Sequence, residues 1–99
     1  MGMSKDNNQI VTEESPFEIG KTYLIRTVTH YQCGTVSKIC NPFIVLKNAA
    51  WIADTGRLHN ALSTGEFNEV EPFVNSVIVN TGAIVDATEI TNPKISSQK

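Results

Sequence analysis

The segment on which the fold prediction rests runs from Tyr23 to Ile39 and reads YLIRTVTHYQCGTVSKI. Its first part, Tyr23–Tyr31, is rich in the aromatic and β-branched residues that are typical of strands. Gln32–Gly34 then predicts a turn, because Gly34 can adopt a positive φ at no steric cost. Thr35–Ile39 completes the unit as the returning strand of an antiparallel pair.

Three further strands are predicted on the carboxyl side of this pair. After a turn at residues 40–42, Phe43–Leu46 is a continuous apolar run, which predicts a strand that is buried on both faces. Residues 49–53 continue or bend that strand. Two more strands, Val74–Val79 and Ala83–Thr88, flank the tight-turn sequence Asn80-Thr81-Gly82.

Residues 54–64 contain the one good helix candidate. Asp54 or Thr55 can cap its start by accepting a backbone N–H bond. Gly65 suits the left-handed position that ends a helix. An apolar stripe follows helical spacing and is expected to face the sheet: Leu58, Ala61 and Leu62. The acidic segment that follows, residues 66–72, predicts a solvated connection.

The resulting element order is β-β-β-α-β-β. Five short, mostly sequential strands predict a small antiparallel barrel with one inserted helix, since closure removes exposed strand edges. Residues 16–92 are expected to form a single domain around one core. Residues 1–15 predict a mobile polar arm, and residues 93–99 predict a flexible tail.

Composition excludes several classes of function. Lys and Arg number 8 against 10 Asp and Glu, so the net charge of −2 argues against a generic basic clamp for nucleic acid. No apolar run approaches the length of a membrane span, and the amino terminus lacks the apolar region of a signal peptide. A cytoplasmic protein without a membrane partner is expected. Cys33 and Cys40 are interpreted as free thiols rather than a disulfide.

The segment Gly34-Thr-Val-Ser-Lys-Ile-Cys-Asn-Pro-Phe-Ile-Val-Leu-Lys-Asn48 resembles the middle of Sm-like proteins, including the bacterial RNA-chaperone type. The later segment Val77-Ile-Val-Asn-Thr-Gly-Ala-Ile-Val-Asp86 is similar to the final strand–turn–strand unit of that family. The resemblance implies an Sm-like or SH3-like barrel. Thr81 and Gly82 stand where the bacterial RNA-binding turn has a Lys-His pair.

A broader stretch, Tyr23–Asp86, resembles small uncharacterised proteins of phages and bacterial mobile elements. The strings that carry this resemblance are Tyr23-Leu-Ile-Arg-Thr-Val-Thr29, Ala49-Ala-Trp-Ile-Ala-Asp-Thr-Gly-Arg57, Asn68-Glu-Val-Glu-Pro72 and Gly82-Ala-Ile-Val-Asp-Ala-Thr88. It implies a viral or mobile-element setting, with host cytoplasm as the compartment, and it implies no reaction.

Catalytic and metal chemistry have little support in the sequence. The triplet Asp54-Thr55-Gly56 matches the catalytic Asp-Thr-Gly triplet of aspartic proteases. Capping of the predicted helix explains the Asp and the Thr without special chemistry. His30 and His59 lie on separate elements, and no ligand spacing predicts a metal site. No nucleophile–base pair or Gly-rich phosphate loop is present. We therefore expect no enzyme activity, no metal and no cofactor.

The candidate ligand-binding residues combine positive charge with aromatic rings: Arg26, His30, Tyr31, Trp51 and Arg57. Arginine matches phosphate oxygens, and aromatic rings offer a stacking surface for bases. The alternative is that Arg26 covers apolar strand surface with its stem and that Arg57 pairs with Asp54.

The sequence thus predicts a non-catalytic, oligomeric binding module. Its partner is a nucleotide or short RNA, or a host protein that it blocks, as a host-defence antagonist would. A virion or other structural interaction protein is the alternative, and a small enzyme is the third candidate. We expect a homo-oligomer that assembles through exposed apolar strands, for which Phe43–Leu46 and Val77–Val79 are the candidates.

Overall fold

The computed structural model describes residues 15–99, so the predicted arm of residues 1–15 lies outside the described part except for Ser15. The chain forms six antiparallel strands and one α-helix: β1 Thr22–Thr27, β2 Tyr31–Cys40, β3 Phe43–Asp54, α1 Leu58–Thr64, β4 Glu69–Pro72, β5 Val77–Asn80 and β6 Ile84–Glu89. A single 3-10 turn, Thr81–Ala83, joins β5 to β6. The mainly β prediction is confirmed, whereas the count of five strands is wrong.

The strands form one sheet in the order β4-β3-β2-β1-β6, and β5 pairs with β3 beside that path. The long strand β3 explains this branching. Its first part, Phe43–Leu46, pairs with β5, and its last part, Ala50–Asp54, pairs with β4. Hydrogen bonds between β5 and β6 do not occur, so the sheet of the described residues is open rather than a closed barrel.

Phe43–Leu46 differs from its prediction in two ways. It lies between β2 and β5, so it is an interior segment and offers no free edge for assembly. Burial also alternates along it, because Ile44 and Leu46 are fully buried while Phe43 is 41% exposed. The apolar run is therefore a strand with one fully buried face rather than two.

The first hairpin turns earlier than the sequence predicts. The chain reverses at residues 28–30, where the backbone N–H of Thr27 donates to the carbonyl of His30 at 2.8 Å. The expected turn at Gln32–Gly34 is wrong, since these residues are buried inside β2. Gly34 serves close packing: a Cβ there would lie 2.8 Å from the Cβ of Ala49 on β3.

Two hydrophobic clusters cover opposite faces of the sheet, so the prediction of one core is wrong. The first contains Tyr23, Ile25, Val36, Ile44, Leu46, Ala49 and Val79. The second contains Leu24, Cys33, Ala50, Ile52, Ala61, Phe67, Val70, Ile90 and Ile95. Neighbouring residues of β1 enter different clusters, as the two-residue period of a strand requires.

The helix is shorter than predicted and is not capped by a side chain. It begins at Leu58, and its N-cap, Arg57, makes no capping hydrogen bond. Asp54 instead accepts a bond from the backbone N–H of Gly56 at 2.8 Å, which closes a turn before the helix. Gly65 ends the helix in the left-handed region with φ 78°, as predicted. Ala61 is buried, whereas Leu58 is 43% exposed and does not complete the apolar stripe.

The carboxyl end of the chain, expected to be a flexible tail, is packed and paired. Ile95 is 7% exposed within the second cluster. The backbone groups of Lys99 exchange two hydrogen bonds with Val70, each 2.9 Å long. These bonds pair Lys99 with the outer edge of β4. Residues 69–72 were expected to be a solvated connection and instead form this strand. Val70 is buried while Glu69 and Glu71 point outward, so a three-residue alternation was too short to reveal the strand.

Candidate functional site

Two surface grooves flank the turn of the β1–β2 hairpin. The first, which we call the Trp51 groove, has a volume of about 600 Å³ and is lined by Arg26, Thr27, Val28, Thr29, His30, Tyr31, Trp51, Ile52 and Ala53. The second, the Gln32 groove, has a volume of about 400 Å³ and is lined by Thr27, Val28, Thr29, His30, Gln32, Ile78, Val79, Asn80 and Ala83. The turn residues 27–30 belong to both grooves, so the two form one continuous surface.

Four of the five predicted binding residues line the Trp51 groove: Arg26, His30, Tyr31 and Trp51. The groove passes around the end of the hairpin, because Arg26 pairs with Tyr31 on one face of the sheet and Trp51 pairs with Gln32 on the other. Arg57 lines neither groove. Its neighbour Leu58 lines an adjoining depression with Arg26 and Tyr31, so the helix start borders this region without entering it.

The aromatic side of the groove is built from His30 and Trp51. Their rings meet edge to face, with centroids 5.9 Å apart and an interplanar angle of 87°. The hydroxyl of Thr29 lies 2.8 Å from Nδ1 of His30 and helps to hold that ring. Trp51 remains 44% exposed, so part of its ring is free to stack against a planar ligand.

Arg26 forms an ion pair with Asp86, and the two residues line the adjoining depression together. Nη2 of Arg26 lies 2.6 Å from Oδ2 of Asp86, and Nε lies 3.1 Å from Oδ1, which is a bidentate arrangement. These hydrogen bonds, together with the charge attraction, raise the pKa of Arg26. The hydrogen bonds from Arg26 lower the pKa of Asp86. The guanidinium therefore keeps its positive charge and is held in place beside the opposite charge of Asp86.

The sequence did not indicate Gln32, which lines the Gln32 groove, or Asp86, which lines the adjoining depression beside Arg26. Asp86 is 60 residues from Arg26 in sequence, and it reaches Arg26 only because β6 pairs with β1. Gln32 was assigned to a turn. Its inward placement follows from β2 continuing through it, with Gly34 and Val36 on the same face. If Gln32, Gly34 and Val36 had been interpreted as alternate residues of one strand, the inward placement of Gln32 would have been predicted.

The remaining polar candidates of residues 15–99 are dispersed over separate elements. Asp54 and Gly56 belong to the turn before the helix. No set of three His, Cys, Asp or Glu side chains in residues 15–99 is placed to hold a metal ion. Cys33 is buried and Cys40 is exposed, and both are free thiols. Within the same residues, no helix is both long and apolar enough to cross a membrane.

Comparison of the chain with models of protein families, with curated proteins and with solved structures gave no match. The geometry of the hairpin and its grooves is therefore the basis for inferring a function.

Proposed function

We propose that this protein is a non-catalytic binding module that takes a nucleotide, free or within a short RNA, into the Trp51 groove. The observation that carries the proposal is that Arg26, His30, Tyr31 and Trp51 all line one groove, which passes around the end of the hairpin. A groove of about 600 Å³ falls within the range that small-molecule sites occupy. Aromatic faces beside an arginine are the combination that single nucleotides and single strands require.

The division of roles follows from the electrostatics. Trp51 supplies the stacking surface for a base, and its contact with His30 fixes the ring position. Arg26 directs its remaining N–H groups to a phosphate while Asp86 holds the guanidinium. Because the Arg26–Asp86 pair carries little net charge, stacking supplies most of the affinity. Binding should therefore depend only weakly on salt concentration, unlike binding through several phosphate contacts.

We also propose the finer architecture that the sequence suggests, an Sm-like or SH3-like barrel of β1, β2, β3, β5 and β6 that stays open between β5 and β6. The first hydrophobic cluster, with its partly buried neighbours, contains residues from all five of these strands. The short 3-10 turn keeps β5 and β6 close in the chain, at the two ends of the five-strand path. The phage or mobile-element setting and the cytoplasmic location belong to this proposal and rest on the resemblance in the sequence.

Calorimetric titration with mono-, di- and cyclic nucleotides tests the function. We expect saturable binding to the parent protein, and at least a fivefold loss of affinity in Trp51→Ala from the stacking contribution of roughly 1–3 kcal/mol. Arg57→Ala is the matched control, because Arg57 lines neither groove and its substitution should leave binding unchanged. No heat from any nucleotide or from a short RNA would refute the proposal.

A second candidate, docking of a protein, has its own supporting observation. Val28 is 87% exposed and Ile78 is 70% exposed, and both line the Gln32 groove. Apolar side chains this exposed are suited to a protein partner, which includes a blocked host protein or a virion component. A negative result across the nucleotide panel would favour this candidate.

A further inference from the structure

We infer that the Gln32 groove holds a second base, so that the preferred ligand is a dinucleotide unit rather than a mononucleotide. This inference rests on the proposed function, because the first base is the one that stacks on Trp51. It comes from a separate observation, the state of the Gln32 side chain.

Gln32 is the one buried polar or charged residue among residues 15–99, with 6% of its surface exposed. Its backbone lies inside β2, paired with Ile25 on one side and with Trp51 on the other. Its side-chain amide makes no hydrogen bond within 3.5 Å to any described residue. The other polar lining groups have partners: the Asn80 side chain accepts from Gly82, and Thr27 and Thr29 contact His30.

Among residues 15–99 the amide therefore has no partner, and a buried polar group in that state is unfavourable for folding because it also loses its contact with water. The groove beside it is otherwise mostly apolar, with Ile78, Val79 and Ala83 among its lining residues. A planar ring would fit between these side chains, and its polar edge would meet the amide. The amide presents one acceptor and two donors, and therefore pairs with an edge that has a donor next to an acceptor.

Nucleobases have such edges, and adenine in particular pairs with a glutamine amide through its N6 and N7 atoms. The Gln32 groove shares Thr27, Val28, Thr29 and His30 with the Trp51 groove. A ligand that spans the hairpin turn would therefore place one base on Trp51 and the next against Gln32, with the linking phosphate near His30.

Titration with two probes separates this inference from the proposed function. The probes are adenosine monophosphate and the dinucleotide adenylyl-(3′→5′)-adenosine. The dinucleotide carries a second base but less negative charge, so a preference for it cannot arise from phosphate attraction. We expect the dinucleotide to bind the parent protein about tenfold more tightly, the value for one good bidentate base contact.

The variant Gln32→Met removes the amide and keeps the side-chain length. Its preference for the dinucleotide should fall to about twofold or less. Its affinity for adenosine monophosphate should equal that of the parent protein. Its thermal midpoint should be equal to or higher than that of the parent protein, because no buried amide remains. Gln98→Met, the same change at an exposed position, is the control and should keep the preference. Equal affinity of the parent protein for the two probes would overturn the inference alone and would need no variant. Absence of binding by both, while another nucleotide of the panel binds, would also overturn the inference, whereas silence across the whole panel and the short RNA would overturn the proposed function.

Discussion

Gly34 shows how a single residue determines the approach of two strands. It lies inside β2, where its missing side chain makes room for Ala49 and Leu46 on β3. Gly34 was predicted to lie in a turn, but it is a point of close contact between strands. Glycine is common in turns and at close strand contacts, so the residue type alone does not distinguish the two.

The substitution Gly34→Ala should destabilise the protein by roughly 1–3 kcal/mol, the usual range for an overpacked core. The added Cβ would lie 2.8 Å from that of Ala49, and both atoms belong to short side chains on paired strands, so neither can rotate away. Chemical denaturation measures the free energy of unfolding. Gly82→Ala is the control, because the nearest atom there is a side-chain oxygen of Asn80 at 3.2 Å. Equal stability of Gly34→Ala and the parent would show that the strands can separate at this point.

The two cysteines should differ sharply in reactivity. Burial raises the pKa of the Cys33 thiol to about 12, whereas Cys40 is exposed. The thiolate is the reactive form, so at pH 8 a thiol reagent should label only Cys40 in the folded protein. The variant Cys40→Ser should then label only after denaturant is added. Rapid labelling of folded Cys40→Ser would mean that the second hydrophobic cluster opens readily.

The pKa of Cys33 also has a consequence for stability. Because the folded-state value is above that of an unfolded thiol, near 9, the neutral thiol is favoured in the folded protein. The contribution of this group to stability is therefore complete below about pH 9 and is lost as the pH rises toward 12.

Among the secondary-structure elements, the sequence predicted that the chain is mainly β, but it did not predict where most strands begin and end. The β-branched residues and alternation of β1 identified that strand, and Gly65 identified the end of α1. Strand β4 was missed because it is only four residues long and depends on its neighbours, β3 and Lys99, for its hydrogen bonds. Local composition carries no information about such long-range pairing.

The same reasoning applies to the candidate site. Residue chemistry and strand position selected Arg26, His30, Tyr31 and Trp51, which line one groove, and their role in binding stays a prediction. Asp86 and Gln32 were not selected, since their roles depend on the pairing of β6 with β1 and on the continuation of β2.

The carboxyl-terminal segment should contribute to stability as a core element. Ile95→Ala removes a side chain that is 7% exposed, so we expect a loss of roughly 2–5 kcal/mol. Ile95→Val should cost only about 0.5–1.5 kcal/mol, and Ser97→Ala, at an exposed position, should have little effect. Unfolding curves of the three variants provide the comparison. If Ile95→Ala were as stable as Ser97→Ala, the segment would contribute little to the core.

Across the whole molecule, a hydrophobic cluster covers each face of the sheet. Unpaired backbone groups of the sheet therefore remain at its edges. Lys99 covers part of the edge of β4. The outer edges of β5 and β6 have no strand partner among the described residues. Ile78 on β5 and Val85 on β6 are exposed by 70% and 52%. Exposed apolar edges of this kind favour pairing with another strand.

We therefore predict a homo-oligomer in which β5 of one subunit pairs with β6 of the next. Light scattering at micromolar concentration should give a mass that is a multiple of the 10.9 kDa chain. Ile78→Lys and Val85→Lys should shift the protein toward monomer, because charged side chains block edge pairing. Val74→Lys is the control, since Val74 is 96% exposed and lies outside the strands. A monomeric mass for the parent would contradict the prediction.

The most direct test of nucleotide binding at the hairpin uses Trp51, which is the single tryptophan of the chain. A base that stacks on its exposed face changes the emission of that ring and of no other. Titration with adenosine monophosphate should therefore give a saturable change in tryptophan fluorescence, with the same midpoint as the calorimetric titration. Calorimetric binding without any change in this emission would place the nucleotide elsewhere on the protein and would contradict the assignment of the Trp51 groove.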